Sequence, residues 1–347
     1  LESPVDKSRT VTIAVDAVGG DFAPDEVLGG VRTSLAADPG LAVALCGPAD
    51  VVTPFAVGLE GRLTPVVTSQ VIAMDEHPAT AVRTKKDSSI VVGCRLVRER
   101  RADGFFSAGS TGAVMAAATL VIGRIRGVKR PATAIALPAA GGPVVLLDVG
   151  ANADCKPENL VQFGIMGVAY AQAVLGVAAP RVALLNIGEE PTKGSLLAIE
   201  AHERMVAQVP GFIGNIEGRD LMERAADVVV TDGFTGNVTL KLLEGTSKSI
   251  LSRLKAAMTS GAVNKAAAAV LKPSLMRLKS DLDPDQYGGA PLLGVNGVAI
   301  IAHGSSRADA VANGILVAAR ACREGLSEKI VHVIAPAVGA SSTEEDA

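Results

Sequence analysis

The chain has 347 residues, enough for one large α/β domain or two small ones, and at 48% hydrophobic and 20% charged it can bury a sizeable core. A net charge of −3, no tryptophan and 3% aromatic residues exclude a broadly basic or base-stacking surface, so nucleic acid is not an expected partner. Four cysteines, Cys46, Cys94, Cys155 and Cys322, lie far apart without a CxxC pair and read as reduced thiols of a cytoplasmic protein rather than a disulfide or zinc framework.

Residues 1–10 are polar, lack the apolar segment of a signal peptide and read as a flexible tail. A first strand, Val11–Val15, ends in DAVGGD (Asp16–Asp21), and a helix follows over Asp25–Ala37. Leu41–Cys46 and Val66–Gln70 read as strands, Ser88–Arg101 as a helix. The strand Gly104–Ser107 runs into the small-residue loop SAGSTG (Ser107–Gly112) and a helix over Thr111–Gly123. That helix holds the longest apolar stretch, about Ala113 to Ile122, well short of the ~20 residues a membrane span needs. Thr133–Leu137 and Val144–Asp148 are strands joined by a Gly-Gly turn, so one hairpin interrupts the order. DVGAN (Asp148–Asn152) and a helix over Pro157–Gly176 come next. Strand Val182–Ile187 leads into NIGEEPTKG (Asn186–Gly194) and a helix over Lys193–Gln208. GNIEGRD (Gly214–Asp220) sits between a short apolar turn and a helix. Strand Asp227–Thr231 leads into TDGFTGN (Thr231–Asn237), then helices over Asn237–Met258 and Ala262–Leu278. Strand Val298–Ala302 leads into AHGSS (Ala302–Ser306) and a helix over Ser306–Arg323, and His332 falls in a C-terminal strand. Residues 338–347 read as a second flexible tail.

Strands apolar at nearly every position imply helices on both faces: a three-layer α/β/α fold with a mostly parallel, doubly wound sheet, as one domain over residues 11–336. Ligands of such sheets bind beyond the carboxyl ends of the strands. The Gly-rich loops after the strands are therefore expected in register on one edge, as an active-site rim. This rim supplies Asp16, Gly19 and Gly20; Ser107, Gly109, Ser110 and Thr111; Asp148 and Asn152; Asn186 and Gly188; and Asp232, Gly233 and Gly236. SAGSTG, with three hydroxyls at a helix start and no lysine, is neither a Walker loop nor a G-x-G-x-x-G fingerprint; it reads as a neutral anion cradle, or as an N-cap through Ser110 or Thr111. Lys193 is the favoured source of positive charge, with Lys85 the second choice beside its role in a solvated Arg-Thr-Lys-Lys run.

Among four histidines, His303 at a strand's carboxyl end is placed for acid/base work or for a structural hydrogen bond; His77 and His202 sit in polar surroundings. The strand-end aspartates form no D-x-D and have no clustered histidine, so no metal and no cofactor is expected; Asp16 and Asp148 have the alternative role of accepting loop N–H groups. Cys155 beside Lys156 offers a covalent route, without a histidine near it in sequence.

The segments VDAVGGDFAP, SAGSTGA, LLDVGANADCKPENLVQF, LLNIGEEPTKG, FIGNIEGRD, DVVVTDGFTGNVTLK and YGGAPLLGVNGVAIIAHGSS resemble the signature segments of the PlsX family, in order, from about Val11 to Arg323. These are acyl-carrier-protein:phosphate acyltransferases of bacterial phospholipid synthesis. Family members often carry Met where this chain has Val18, and the loop Glu189–Thr192 varies. The resemblance implies a fold similar to isopropylmalate dehydrogenase and phosphotransacetylase, in a homodimer. It also implies a reaction: a long-chain acyl thioester on acyl carrier protein plus inorganic phosphate gives acyl phosphate and free carrier. The product would feed a membrane glycerol-3-phosphate acyltransferase. On this reading Ser107, Gly109, Ser110 and Thr111 cradle phosphate and Lys193 offsets its charge. Asn186, Asn237 or the N–H groups of Gly233 and Gly236 stabilise the oxyanion, and His303 protonates the leaving thiol.

Residues 244–284 read as a basic amphipathic hairpin. From Gly245 to Ser280 there is no acidic residue, while Lys248, Arg253, Lys255, Lys265, Lys272, Arg277 and Lys279 are basic. Ile250, Leu251, Leu254 and Met258 recur at helical spacing, as do Val270, Leu271, Leu275 and Leu278; Gly261 marks a break and Pro273 a kink or second break. Such a hairpin suits an anionic bilayer, giving peripheral membrane association, or an acidic acyl carrier protein; its apolar stripe alternatively packs on a dimer mate. Rival readings are a phosphotransacetylase using coenzyme A and a non-enzymatic anion-binding membrane scaffold. A decarboxylating dehydrogenase would want an aspartate metal cluster and a nucleotide site.

Overall fold

Runs of valine, isoleucine and alanine form strands covered on both faces. In β1 (Val11–Asp16) every residue but Thr12 is buried. The computed structural model describes residues 9–281 and 288–341. Its strands are β1, β2 (Leu41–Gly47), β3 (Leu63–Val67), β4 (Gly104–Ser107), β5 (Ala132–Ala139), β6 (Gly142–Leu147), β7 (Val182–Asn186), β8 (Phe212–Glu217), β9 (Val228–Val230), β10 (Ala290–Leu293) and β11 (Val298–Ile301). All join one sheet in the order β3-β2-β1-β4-β11-β10-β5-β6-β9-β7-β8. The helices are α1 (Asp25–Ala37), α2 (Ala49–Phe55), α3 (Pro78–Thr84), α4 (Ser89–Arg98), α5 (Thr111–Ala117) with a π-helical turn Ala118–Ile122 continuing it, α6 (Pro157–Ala173), α7 (Leu196–Gln208), α8 (Gly233–Thr259), α9 (Ala262–Asp281), α10 (Ala308–Arg323) and α11 (Leu326–Ser341).

The sheet is mostly parallel, but its direction reverses. The pairings β11–β10, β10–β5 and β5–β6 are antiparallel; the others are parallel. Strands β3, β2, β1, β4, β11 and β5 therefore run one way, and β10, β6, β9, β7 and β8 the other. This corrects the single rim read from the sequence. The loops after β1, β4 and β11 share one edge, whereas those after β6, β7 and β9 leave in the opposite direction.

Two helical layers cover the sheet. On one face α1, α6, α7, α10 and α11 pack into a single core with Ile13, Val15, Phe106 and Leu147. On the other face the core is divided. One part joins Ala14 and Phe105 to α3, α4 and α5; the other joins Leu146, Val149 and Val229 to the α8 residues Leu240 and Leu243. A groove runs between these two parts, with α5 on one bank and the loop after β6 on the other.

Several boundaries differ from the sequence reading. The edge strand β3 starts at Leu63, not Val66, because its register pairs Leu63 with Val43, and Pro65 is tolerated at a sheet edge. β8, β10, α2 and α3 were not read from the sequence; β8 runs into GNIEGRD, where a turn was expected, and a single 3-10 turn follows it in place of a helix. His332 lies in helix α11, not a strand, since that segment packs Ile330 and Ile334 into the core beside α6. Asp232 caps α8, its carboxylate accepting from the Thr235 N–H at 2.8 Å, so the helix starts four residues before Asn237. Breaking at Gly261, α8 and α9 pack against each other and leave Ile250, Val263 and Val270 exposed, and α9 passes through Pro273 without ending. Residues 1–8, 282–287 and 342–347, and the side chains of Leu275, Arg277, Leu278 and Lys279, lie outside the described residues.

Gly236 is where α8 crosses closest to the sheet. A β-carbon there would overlap the carbonyl oxygen of Asp148. Gly236→Ala is expected to lower stability by about 1–3 kcal/mol, the usual cost of overpacking. An unchanged urea midpoint would show that α8 is free to move off the strand.

Candidate active site

The adjacent strands β1, β4 and β11 deliver three loops to one place. Asp16, at the end of β1, is buried and accepts hydrogen bonds from the Ser107 hydroxyl (2.8 Å) and the Val18 N–H (3.2 Å). Burial pushes its carboxyl above the ordinary range, against the pull of hydrogen bonds from Ser89, Ser107, Val18 and Gly19. Ser107 also accepts from the Gly109 N–H at 2.9 Å. Gly19 packs on this pair, where a β-carbon would crowd the Gly109 nitrogen and the Ser107 hydroxyl. Gly20 turns with φ +110° beside Gly304, whose carbonyl accepts from the Asp21 N–H at 2.7 Å. The Ala302 N–H, donating to the Ser107 carbonyl at 2.9 Å, ties the third loop in.

Ser107 and Gly109 therefore spend their polar groups on the fold. The open donors lie one step further on. Among the described residues, the N–H groups of Ser110, Thr111 and Gly112 and the hydroxyls of Ser110 and Thr111 have no partner, and Ser110 makes no side-chain cap to α5. His303 leaves the neighbouring strand β11 and is exposed. Its Nδ1 accepts from the Ser305 N–H (3.2 Å) and meets the Ser305 hydroxyl (2.8 Å). A backbone N–H can only donate, so Nδ1 is unprotonated and the ring's hydrogen sits on Nε2. The Nε2–H so placed can offer a hydrogen bond to a developing oxyanion.

The reversed half builds a second anchor of the same design. Asp148, after β6, is buried and accepts from the N–H and hydroxyl of Thr133 and the N–H groups of Gly150, Ala151 and Asn152, at 2.7–3.3 Å. The Asn152 amide donates to Asp148 and to the Pro131 carbonyl. Gly233 fits against Asn152 and Asp148, and its N–H donates to the Asn152 carbonyl; that of Gly236 donates to the Asp232 carbonyl. Neither N–H is free to stabilise an oxyanion. The Asn186 amide closes its own loop onto the Lys193 carbonyl, and Gly188 packs beside the Lys193 side chain. Lys193 is exposed and follows β7, six strand positions from β4, about 29 Å at 4.8 Å per strand. Within one protomer it is too remote to offset charge at Ser110 and Thr111. Lys85 is engaged by Glu76 (2.6 Å) and the Val71 carbonyl. Buried His202 bonds Asn215 at 2.9 Å and meets Phe212 edge-on, so its surroundings are those of a core residue. Burial raises the Cys155 thiol to about 11, which leaves little thiolate at neutral pH.

The two halves meet in the groove. Met115 and Thr119 of the helical segment begun by α5, Ala151 and Asn152 after β6, and the loop Arg124–Pro131 surround a cavity of about 280 Å³. Thr111, Met115 and Thr119 are spaced i, i+4, i+8, so one helix face carries the open donors at its start and the cavity further down. Exposed Asn237 borders the other bank beside Gly150. Arg124, Lys129 and Arg130 were missed in the sequence reading; GRIRGVKR was the available signal, four cations in eight residues.

The split α/β/α sheet places the chain in the phosphotransacetylase class of fold. The chain superposes on a phosphotransacetylase from Streptococcus pyogenes with a TM-score of 0.59, at 15% identity, over 92% of this chain and 95% of that one. The EutD phosphotransacetylase from Staphylococcus aureus gives 0.58, at 17% identity, over 91% and 96%. A family model described as "Fatty acid synthesis protein" matches residues 11–329. The phosphate acyltransferase of Heliobacterium modesticaldum is 48% identical over 326 residues, covering 93% of this chain and 96% of that protein. That of Bacillus subtilis (strain 168) is 46% identical over 336 residues, covering 96% and 99%. The chain belongs to this family, the PlsX phosphate acyltransferases, and is an acyltransferase.

Anchor and donor residues should separate in experiment. Ser107→Ala leaves buried Asp16 and Gly109 without their partner and is expected to cost about 1–3 kcal/mol in thermal or urea unfolding. Thr111→Ala is expected to keep its stability and lose acyl transfer. A stable Ser107→Ala protein with normal activity would remove the anchor role.

Proposed function

We propose that this chain transfers a long-chain acyl group from acyl carrier protein to inorganic phosphate, releasing acyl phosphate and free carrier for phosphatidic acid synthesis. The observation that carries this reading is the set of open donors at Ser110, Thr111 and Gly112 after β4, with the Nε2–H of His303 after the neighbouring strand β11. Hydrogen phosphate, held by the Ser110–Gly112 donors, attacks the thioester carbonyl carbon through one oxygen. The C–O bond forms and the C–S bond breaks. Sulfur takes the proton that the phosphate P–OH gives up, so no protein acid is consumed. His303 donates to the carbonyl oxygen as it gains charge, and Asn237 approaches from the opposite bank. The family membership and the phosphotransacetylase-like fold support phosphate as the acceptor.

In a thiol-release assay with an acyl-carrier thioester, release is expected only when inorganic phosphate is present. Release without phosphate would make the chain a thioesterase, and activity confined to acyl-coenzyme A would replace the carrier in this reading. His303→Ala is expected to lower kcat about 10²-fold, the usual effect of one lost oxyanion donor. Near wild-type turnover in a folded variant would remove His303 from the mechanism.

The proposal extends to location. The protein works in the cytoplasm as a homodimer, passes acyl phosphate to a membrane glycerol-3-phosphate acyltransferase and touches the bilayer through α8 and α9. No helix among the described residues is long and apolar enough to cross a membrane. Support comes from exposed Lys248, Arg253, Lys255, Lys265 and Lys272, interleaved with partly exposed Leu254 and Met258. Phe234, Val238 and Leu242, exposed at i, i+4, i+8 nearer the start of α8, suit a second copy of the chain. Wild-type protein is expected to float with anionic vesicles but not neutral ones, and Lys255→Glu/Lys265→Glu/Lys272→Glu to stay behind. Equal flotation of the triple variant would count against membrane docking.

A further inference from the structure

Attack of phosphate on a thioester uses donors at the strand ends. It does not account for three cations at the far end of the same helix face. Arg124, Lys129 and Arg130 line the cavity together with Met115 and Thr119, and no carboxylate lines it. Among the described residues Glu158 is the ion-pair partner of these cations, and it is shared between Lys129 (3.3 Å) and Arg204 (3.6 Å). Arg130 makes no hydrogen bond or ion pair among the described residues, and neither does the Thr119 hydroxyl.

The loop that carries the cations is not slack. Ile125 and Val128 are buried as plugs. Gln162 clamps the backbone twice, accepting from the Lys129 N–H and donating to the Gly127 carbonyl, both at 2.9 Å. Asn296 donates to the Arg124 carbonyl at 2.8 Å, and the Arg124 guanidinium donates to the Lys129 carbonyl at 2.6 Å. Cations on a rigid loop lose little freedom on binding an anion.

We propose that this cavity is a binding site for a phosphoryl anion, with Arg130 its principal ligand and Arg124 and Lys129 in support. Its apolar wall of Met115 and Leu292 suits a phosphoryl group attached to a chain as well as a free one. Two molecules of the proposed reaction carry this chemistry: inorganic phosphate, and the phosphodiester of the carrier's pantetheine arm. The inference takes its choice of probes from the acyl-transfer reading; binding itself is measured without turnover.

The experiment is calorimetric titration of the full chain with inorganic phosphate, phosphopantetheine and pantetheine, comparing wild type with Arg130→Ala, Arg130→Lys and Arg126→Ala. Arg126 sits on the same loop but does not line the cavity. Arg130→Ala is expected to weaken a phosphoryl probe about tenfold or more at unchanged melting temperature, with Arg130→Lys recovering part of the loss and Arg126→Ala binding as wild type does. Loss confined to phosphopantetheine assigns the cavity to the carrier arm; loss for inorganic phosphate assigns it to the free anion. Unchanged binding of both phosphoryl probes by Arg130→Ala overturns the proposal, as does failure of wild type to bind either phosphoryl probe. A wild-type protein that binds a phosphoryl probe at Arg130 but transfers no acyl group would sink the acyl-transfer reading and leave this site standing.

Discussion

Three consecutive antiparallel pairings, β11–β10, β10–β5 and β5–β6, set the rest of the architecture. Each strand that joins beyond β6 pairs in parallel with its neighbour and inherits the reversed direction. The carboxyl ends of the two halves then point opposite ways. Helices that follow those strands return over the sheet from opposite ends, and on one face they stop short of each other. The divided core on that face is the direct result, and the groove is the space between its parts. A uniformly parallel sheet would have placed all the loops on one rim and closed this face with one continuous helical layer.

The same device anchors the loops on both edges. A strand-end aspartate turns inward and takes N–H groups from its own loop plus a hydroxyl from another strand, Ser107 for Asp16 and Thr133 for Asp148. A glycine packs against each anchor, Gly19 on one side and Gly233 on the other. Buried carboxylates are tolerated because these donors replace the lost water, and removing one donor would leave a buried acceptor unsatisfied. The outer surface of the first edge keeps the backbone N–H groups and hydroxyls of Ser110 and Thr111 and the His303 imidazole, with the exposed Asp21 carboxylate beside Gly304.

The strand–loop–helix units were legible in the sequence wherever an apolar run met a cluster of small residues. The ends of β1, β4 and β11 were read correctly for that reason, and so was the hairpin in PATAIALPAAGGPVVLLDVG. Strand direction was not legible, because it depends on which strand β9 and β7 choose to join. Nothing local in VVV or VALLN distinguishes pairing beside β6 from pairing beside β1. The internal use of Ser107 was hidden for a similar reason: its partner Asp16 is 91 residues away. The loop Arg124–Pro131 was passed over, because burial of its Ile125 and Val128 is decided by α6 and the segment around Gly294, far off in the chain.

Charge and chemistry are held apart on α5. The helix face places neutral donors at Thr111 and the cations near Thr119, eight residues or about 12 Å along the axis. A guanidinium in contact with an anion at ~4 Å is worth about 4 kcal/mol at an effective dielectric of 20, whereas at ~12 Å the attraction falls to about 1.4 kcal/mol. That smaller figure is a tenfold effect on occupancy before screening, and the distance exceeds the ~8 Å Debye length of physiological salt. Cations so placed can draw an anion into the groove without pinning the oxygen that must attack. On the proposed mechanism, neutral hydrogen bonds then hold the nucleophile in position while leaving its charge available, which is what attack of phosphate on an already activated thioester would require.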